Sequence, residues 1–413
     1  MFRNCTWILG GAIFLTLTVS AQTLNTIYSF GSPDSDGISP SGGVILGSQG
    51  ELYGTTEHGG ASNFGTVYEL LPPASPGGAW TEVVLHSFNG EDGEIPVAGL
   101  RMGPSGALYG VTTKSTGGYG TAFELDPPTD GGTHWPYTVI YRFTVVDGNP
   151  SGALISGPDQ SLYGMTGIAG SHSGTVYSLT PPSTDGGVWT QTTLYSFAGG
   201  SDGSDPVGTL ARGINGTLFG VTTHGGRAFP DGGGSGTVFS LTPPAVSGGP
   251  WTERLLYAFD AQIGDGVQPS AGLTNTPAGV LYGTTTEAGA GGWGTVFSLS
   301  PSEVPGGPMT EMILYAFTGL DGSDSVSSLV LGLNGVLYGT TELGGAIGDG
   351  TVFELTPPAA PGGSWTESTL HSFTGGINGW EPNGLVLSPD GILYGTTANA
   401  GASKHGTVFA LTP

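Results

Sequence analysis

Apolar residues in this chain come in short runs, and none of the runs has helical spacing. Each run is rich in Val, Ile, Leu, Thr, Tyr and Phe, and each is bounded by Gly, Pro, Asp or Asn. Runs of this kind read as β-strands. Four of them, called A to D in chain order, make one unit. In the first unit strand A is expected at Val44–Leu46, strand B over 51–56, strand C at Thr66–Leu71 and strand D over 80–88. A tight Gly-x-x-Gly turn (Gly47 to Gly50) joins A to B. A longer crossing that carries Asp-Gly and then Pro joins D to the next A.

The unit repeats. Leu-Tyr-Gly places its aromatic at Tyr53, Tyr109, Tyr163, Phe219, Tyr282, Tyr338 and Tyr394, at spacings of 56, 54, 56, 63, 56 and 56 residues. A second motif, Gly-Thr-Val-Phe/Tyr, starts at Gly65, Gly120 (with Ala122), Gly174, Gly236, Gly294, Gly350 and Gly406. Trp80, Trp135, Trp189, Trp251 and Trp365 precede strand D, with Met309 in the equivalent place once. Strand D ends at Phe88, Phe143, Phe197, Phe259, Phe317 and Phe373. Four strands in each repeat of about 40–60 residues is the pattern of a β-propeller. The chain finishes on a strand C and begins, after its first 21 residues, with an unpartnered strand D over 24–30. The fold class expected is therefore all-β. It is a seven-bladed β-propeller with four antiparallel strands per blade, closed by the N-terminal strand completing the last blade. A solenoid would need a cap at each end.

Residues 1–21 read as a signal peptide, and 22–413 as a single propeller domain. Arg3 is followed by an apolar stretch from Trp7 to Val19 and an A-x-A-like site at Val19-Ser20-Ala21. That stretch is shorter than the roughly 20 residues of a membrane span. The only cysteine, Cys5, lies before it, so the remaining chain has no disulfide and depends on its core. No membrane span is expected after cleavage. The formal net charge is −24, and −25 once Arg3 is removed. So anionic a surface repels phosphate backbones and acidic lipid, which argues against a nucleic-acid or membrane-surface partner.

The repeats, with their Leu-Tyr-Gly-Thr-Thr and Gly-Thr-Val-Phe elements, resemble the GloVer-type tandem repeats of bacterial exported proteins. The resemblance covers residues 24–413 and implies export, often with a C-terminal sorting tail, but no established activity. This chain stops at Leu411-Thr412-Pro413. A freely secreted or periplasmic monomer is therefore expected. The segments at 130–135 and 183–189 also resemble the Asp-box turns of sialidase propellers, which are structural there.

Motifs present in every copy are expected to be structural. Function is expected on the face formed by the D–A and B–C loops, which are longer and more variable than the A–B turns. Phe64, Tyr119 and Trp293 directly precede Gly-Thr-Val-Phe, and Trp380 is the tryptophan of a D–A loop. They are candidates for stacking on sugar rings or for packing between loops. Glu57, Glu287 and Glu342 are acidic outliers near the channel mouth, candidates for acid–base chemistry on a glycoside. His58, His172, His224 and His405 fall in B–C loops, but at differing offsets that argue against a metal site. Arg101, Arg212 and Asn275 break the apolar pattern of strand A. Each arginine is either an anchor for a carboxylate or the partner of a nearby Asp. The Asp-Gly turns at Asp36, Asp92, Asp147, Asp202, Asp265 and Asp321, with Asn378 as the seventh, offer oxygen ligands for Ca²⁺ or simple turn capping. Beyond Ca²⁺ no cofactor is expected.

Three functions fit. The first is a secreted module that binds a glycan or an extracellular protein. The second is an extracellular carbohydrate-active enzyme of lyase, glycosidase or lactonase type. The third is a cell-envelope scaffold without a small ligand. A sialidase is excluded, because only Arg101 and Arg212 of the arginines lie on strand A.

Overall fold

A computed structural model describes residues 22–31, 36–129, 132–167, 173–184, 187–227, 234–246, 248–302, 307–360 and 362–413. Residues 1–21, His172 and the middle of the fourth B–C loop (228–233) therefore lie outside the described residues, as do Asp130 and Asp185.

Seven four-stranded antiparallel sheets follow one another along the chain and form a seven-bladed propeller. Blade 1 comprises Val44–Leu46, Leu52–Thr56, Thr66–Leu71 and Thr81–Ser87, close to the strands expected. Blade 7 takes its fourth strand from the other end of the chain. Thr23–Ser29 pairs antiparallel with Thr407–Thr412, from Thr23 opposite Thr412 to Ser29 opposite Thr407. This closure pairs the two ends of the chain in one ladder and makes Thr23–Ser29 the outer edge of blade 7.

The conserved shape of the repeat has a steric origin. In Leu-Tyr-Gly the glycine lies under the strand-C aromatic of its own blade. A β-carbon on Gly54 would sit 2.4 Å from the Tyr68 hydroxyl, and one on Gly339 would sit 2.4 Å from Cζ of Phe353. The threonine two residues after that glycine ties strand B to strand C at the loop end. Thr56 and Thr66 hydroxyls are 2.8 Å apart, and the equivalent pair is hydrogen-bonded in all seven blades at 2.8–3.0 Å.

Blades are joined by aromatic pairs. The phenylalanine ending strand D packs against the strand-C aromatic of the next blade at all seven seams, with centroids 5.0–5.4 Å apart. The tryptophan before strand D packs on the Leu-Tyr-Gly tyrosine of the preceding blade at five seams, for example Trp135 on Tyr53 and Trp80 on Tyr394. The two exceptions in these motifs, Phe219 and Met309, pack on one and the same core cluster.

The D–A aspartates prove to be part of this framework. Each accepts a hydrogen bond from the strand-D tyrosine, as in Tyr28–Asp36, Tyr141–Asp147, Tyr195–Asp202, Tyr257–Asp265 and Tyr315–Asp321, at 2.5–3.2 Å. Where strand D carries histidine, His86 meets Asp92 at 3.0 Å and His371 meets Asn378 at 3.1 Å. Several of these carboxylates also accept backbone N–H groups of their own loop, as Asp36 does from Gly31 and Asp321 from Thr318. That is turn capping.

Along the axis the strands A approach backbone to backbone. A β-carbon on Gly152 would lie 1.7 Å from the Gly208 carbonyl oxygen, so only small residues fit there. All seven blades line the resulting axial cavity of about 250 Å³, through residues such as Ser41, Gly99, Gly152, Thr209, Gly272, Ser328 and Asn383.

Candidate functional site

Strand direction sorts the candidate residues onto two faces. The loop face carries the D–A and B–C connections, and the turn face carries A–B and C–D. On the loop face Phe64 is half-buried against the core between blades 1 and 2 and packs over Gly90. Trp293 is 50% exposed, and its ring lies 3.2 Å from where a β-carbon on Gly319 would sit. The residue preceding Gly-Thr-Val-Phe thus leans on the D–A glycine of its own blade. Trp380 begins strand A of blade 7, where it pairs with Asn399 and is half-buried. These three aromatics belong to different blades, and the structure does not gather them.

Tyr119 is placed differently. With Glu91, Ser115, Thr116, Gly117, Arg142, Phe143, Thr144 and Val145 it lines a loop-face cleft of about 660 Å³. Tyr119 is half-buried against the core of blades 2 and 3, and its carbonyl accepts the Ser115 hydroxyl. Arg142 is exposed and donates to the Glu91 carbonyl at 2.5 Å, which holds the guanidinium across the cleft. Val145, 55% exposed, continues the wall. Arg142 is not singled out by the sequence. It is the last residue of strand D of blade 2, inside the repeated motif, where it pairs with Thr121.

The remaining loop-face candidates lie at the loop end of strand B. His58 pairs with Ile38 in a two-residue extension of the blade, and the Glu57 N–H donates to the Ser39 carbonyl. His224 is exposed at the end of Leu218–His224. Among the described residues no three His, Cys, Asp or Glu side chains gather around a metal-sized space. A second group spans blades 5 to 7. Burial pushes the Glu342 carboxyl up, and Glu381 and Asp324 add to the shift. Asp324 is raised by burial and by Glu287. Asn399 donates to Glu381. This group is acidic.

Arg101, Arg212 and Asn275 lie at the other mouth. Each is at or beside the last residue of strand A, next to the A–B turn, so their place is the turn face and not the loop face. The direction of strand A decides this, since its C-terminal end points away from the D–A loops. Arg101 Nε donates to Ser156 Oγ at 2.9 Å, and the Asn275 amide donates to the Arg212 carbonyl at 3.0 Å. Arg101, Ile155, Ser156, Arg212, Gly213 and Ile214 line one cleft of about 380 Å³. Neither arginine pairs with an aspartate among the described residues.

The sequence model of the Gloeobacter/Verrucomicrobia repeat matches residues 9–229 and again 230–413. The chain belongs to this repeat family. No curated protein matches the sequence. Solved structures similar to this repeat-family propeller include polysaccharide lyase Uly1, with 13% identity, coverage of 93% of this chain and 91% of that one, and a TM-score of 0.53. They also include the extracellular domain of a B. thetaiotaomicron protein assigned as a hybrid two component system. It has 10% identity, coverage of 95% of this chain and 42% of that one, and a TM-score of 0.56. At such identities the likeness is one of fold, and propellers host unrelated functions.

Proposed function

We propose that this chain is an exported binding module that holds one carbohydrate in the loop-face cleft around Tyr119. The observation that carries the reading is the convergence of Tyr119, Arg142 and the Thr116 and Thr144 hydroxyl-bearing loops on a single cleft of about 660 Å³. A half-buried aromatic gives a sugar ring a flat apolar surface at low entropic cost. An exposed guanidinium with free donors fixes the orientation of ring hydroxyls. The volume falls in the range of about 300–1,000 Å³ usual for ligand pockets. One site per molecule is favoured over seven, because Tyr119 and Arg142 break the repeat. The pattern of residues 1–21 supports export, and N-terminal sequencing of the released protein should begin at Gln22.

The test is a thermal-shift screen against an oligosaccharide panel. A sugar at 100 times its Kd adds about 2.7 kcal/mol of stability. The upward shift should disappear in Tyr119→Ala and shrink in Arg142→Gln. If no sugar raises the melting temperature, the reading fails and a protein partner takes its place.

One observation favours a second reading, a carbohydrate-active enzyme. Glu342 is held up by burial with Glu381 and Asp324 nearby, the condition for a carboxyl that acts as general acid. Glu342→Gln would then abolish release of reducing ends from a polysaccharide that the wild type cleaves.

A further inference from the structure

We infer that the turn-face mouth of the channel is a second ligand site, one that takes a carboxylate between Arg101 and Arg212. Residues 22–413 hold 32 acidic side chains and only five arginines. Two of those five, from blades 2 and 4, line the same cleft on either side of Ser156 of blade 3. Placing two like charges together without a counter-charge is unfavourable. In so acidic a chain the counter-charge is easily supplied by a carboxylate side chain. Here it is not: among the described residues neither Arg101 nor Arg212 has an acidic side chain within ion-pair distance. Asp159, three residues beyond Ser156, makes no ion pair with either. Of the other arginines, Arg227 meets Asp260 at 2.6 Å, while Arg142 and Arg254 each donate to a backbone carbonyl, those of Glu91 and Gly307.

The donors are arranged for a planar oxyanion. Arg101 uses Nε on Ser156, which fixes the plane of its guanidinium and leaves both Nη groups free of acceptors among the described residues. Ser156 Oγ accepts that bond, so its own proton remains to donate. The guanidinium of Arg212 makes no hydrogen bond within the described residues, while Asn275 holds its backbone from blade 5. Asn275 is thus a positioning residue. A carboxylate presents four lone pairs in one plane and matches two such forks. The rest of the mouth is apolar. The positions equivalent to Ser156, Arg212 and Asn275 are Met102 in blade 2 and Leu331, Leu387 and Leu46 in blades 6, 7 and 1. A small acid whose body is a sugar ring or a hydrocarbon fits this amphipathic rim. The cleft of about 380 Å³ suits a molecule of that size.

The experiment is titration of the full chain by calorimetry and thermal shift with two acid–neutral pairs. One pair is glucuronate and glucose, and the other is hexanoate and hexanol. Sodium sulfate serves as the ionic control. Saturable one-to-one binding of either acid, absent with its neutral partner and weakened by salt, is the expected result. Whichever acid binds tells a uronate from a fatty-chain carboxylate. Arg101→Gln and Arg212→Gln should each weaken that binding about 10- to 100-fold, the usual worth of a charged hydrogen bond. Arg212→Gln should leave the melting temperature without ligand unchanged, because its guanidinium makes no hydrogen bond or ion pair within the described residues, and Arg101→Gln should lower it little, because it loses one exposed hydrogen bond to Ser156. Tyr119→Ala should leave acid binding unchanged, which separates this site from the loop-face cleft. Equal response to acid and neutral partner, an equal response to sulfate, or binding that survives the double variant would each overturn the proposal.

Discussion

At the scale of single residues, the repeat is maintained by polar contacts that recur blade by blade. Thr341 is fully buried, shares a hydrogen bond with Thr351 at 2.8 Å, donates to the Leu343 carbonyl and accepts from the Thr351 N–H. Thr341→Val keeps the shape but strips these partners of their match. It should destabilise the protein by about 1–3 kcal/mol, read as a lower urea midpoint at unchanged m-value. Trp365 shows the apolar counterpart. It packs edge-on to Tyr282 of the preceding blade with centroids 6.2 Å apart. Trp365→Ala should cost about 2–4 kcal/mol, because it removes both burial and an aromatic pair from a seam. A cost near zero in calorimetry would mean that the seam does not depend on that ring.

At the scale of elements, the seams between blades also store protons. The second residue of strand D brings a glutamate toward the tyrosine and aspartate of the preceding blade. Burial pushes Glu82 up to about 8, with Asp36 adding to it. Burial, and then Asp265, pushes Glu311 up to about 7. One carboxyl oxygen of each glutamate is buried without a hydrogen-bond partner. The unfolded chain releases these protons near the ordinary value of 4.5. Between that pH and the folded values, the native state holds more protons than the unfolded state. This contribution is therefore complete below about 4.5 and is lost as pH rises through 7 to 8. The melting temperature should fall from pH 5 to pH 8.5. Glu82→Gln and Glu311→Gln should flatten that fall and raise the value at pH 8.5. Curves parallel to wild type would show that the two carboxyls are ionised throughout.

At the scale of the whole molecule, one strand closes the ring. Removing residues 22–30 leaves blade 7 with three strands and uncovers Val408 and Phe409, both fully buried in the intact ring. It also removes Phe30 from its contact with Tyr68, so the seam to blade 1 opens. The truncated chain should bind an apolar dye and form oligomers through the bare edge, as seen by size-exclusion chromatography. Moving the same residues to follow Pro413 through a short linker makes strand D local to its blade, as it is in the other six. That permutant should recover the monomeric elution and the cooperative melt.

The number of blades, their strands and the way the ring closes were legible in the sequence, because these depend on local periods and on motifs that return at fixed spacing. Phe88 could be assigned to structure for the same reason: a residue needed at every seam appears at every seam, while the Trp135–Tyr53 pair recurs at five of the seven. The face on which a residue emerges was not legible to the same degree. Arg101 and Arg212 stand out as charges in an apolar strand, yet their position at the end of strand A, beside the turn, sends them to the mouth opposite the loops. Nothing in the sequence relates two residues from blades 2 and 4, because the distance between them depends on the tilt and closure of the ring. Arg142 was hidden inside a core motif, and Trp293 looked more available than its contact with Gly319 leaves it. Local chemistry determined the elements, while the juxtaposition of side chains more than 100 residues apart was decided by the packing of seven blades around one axis.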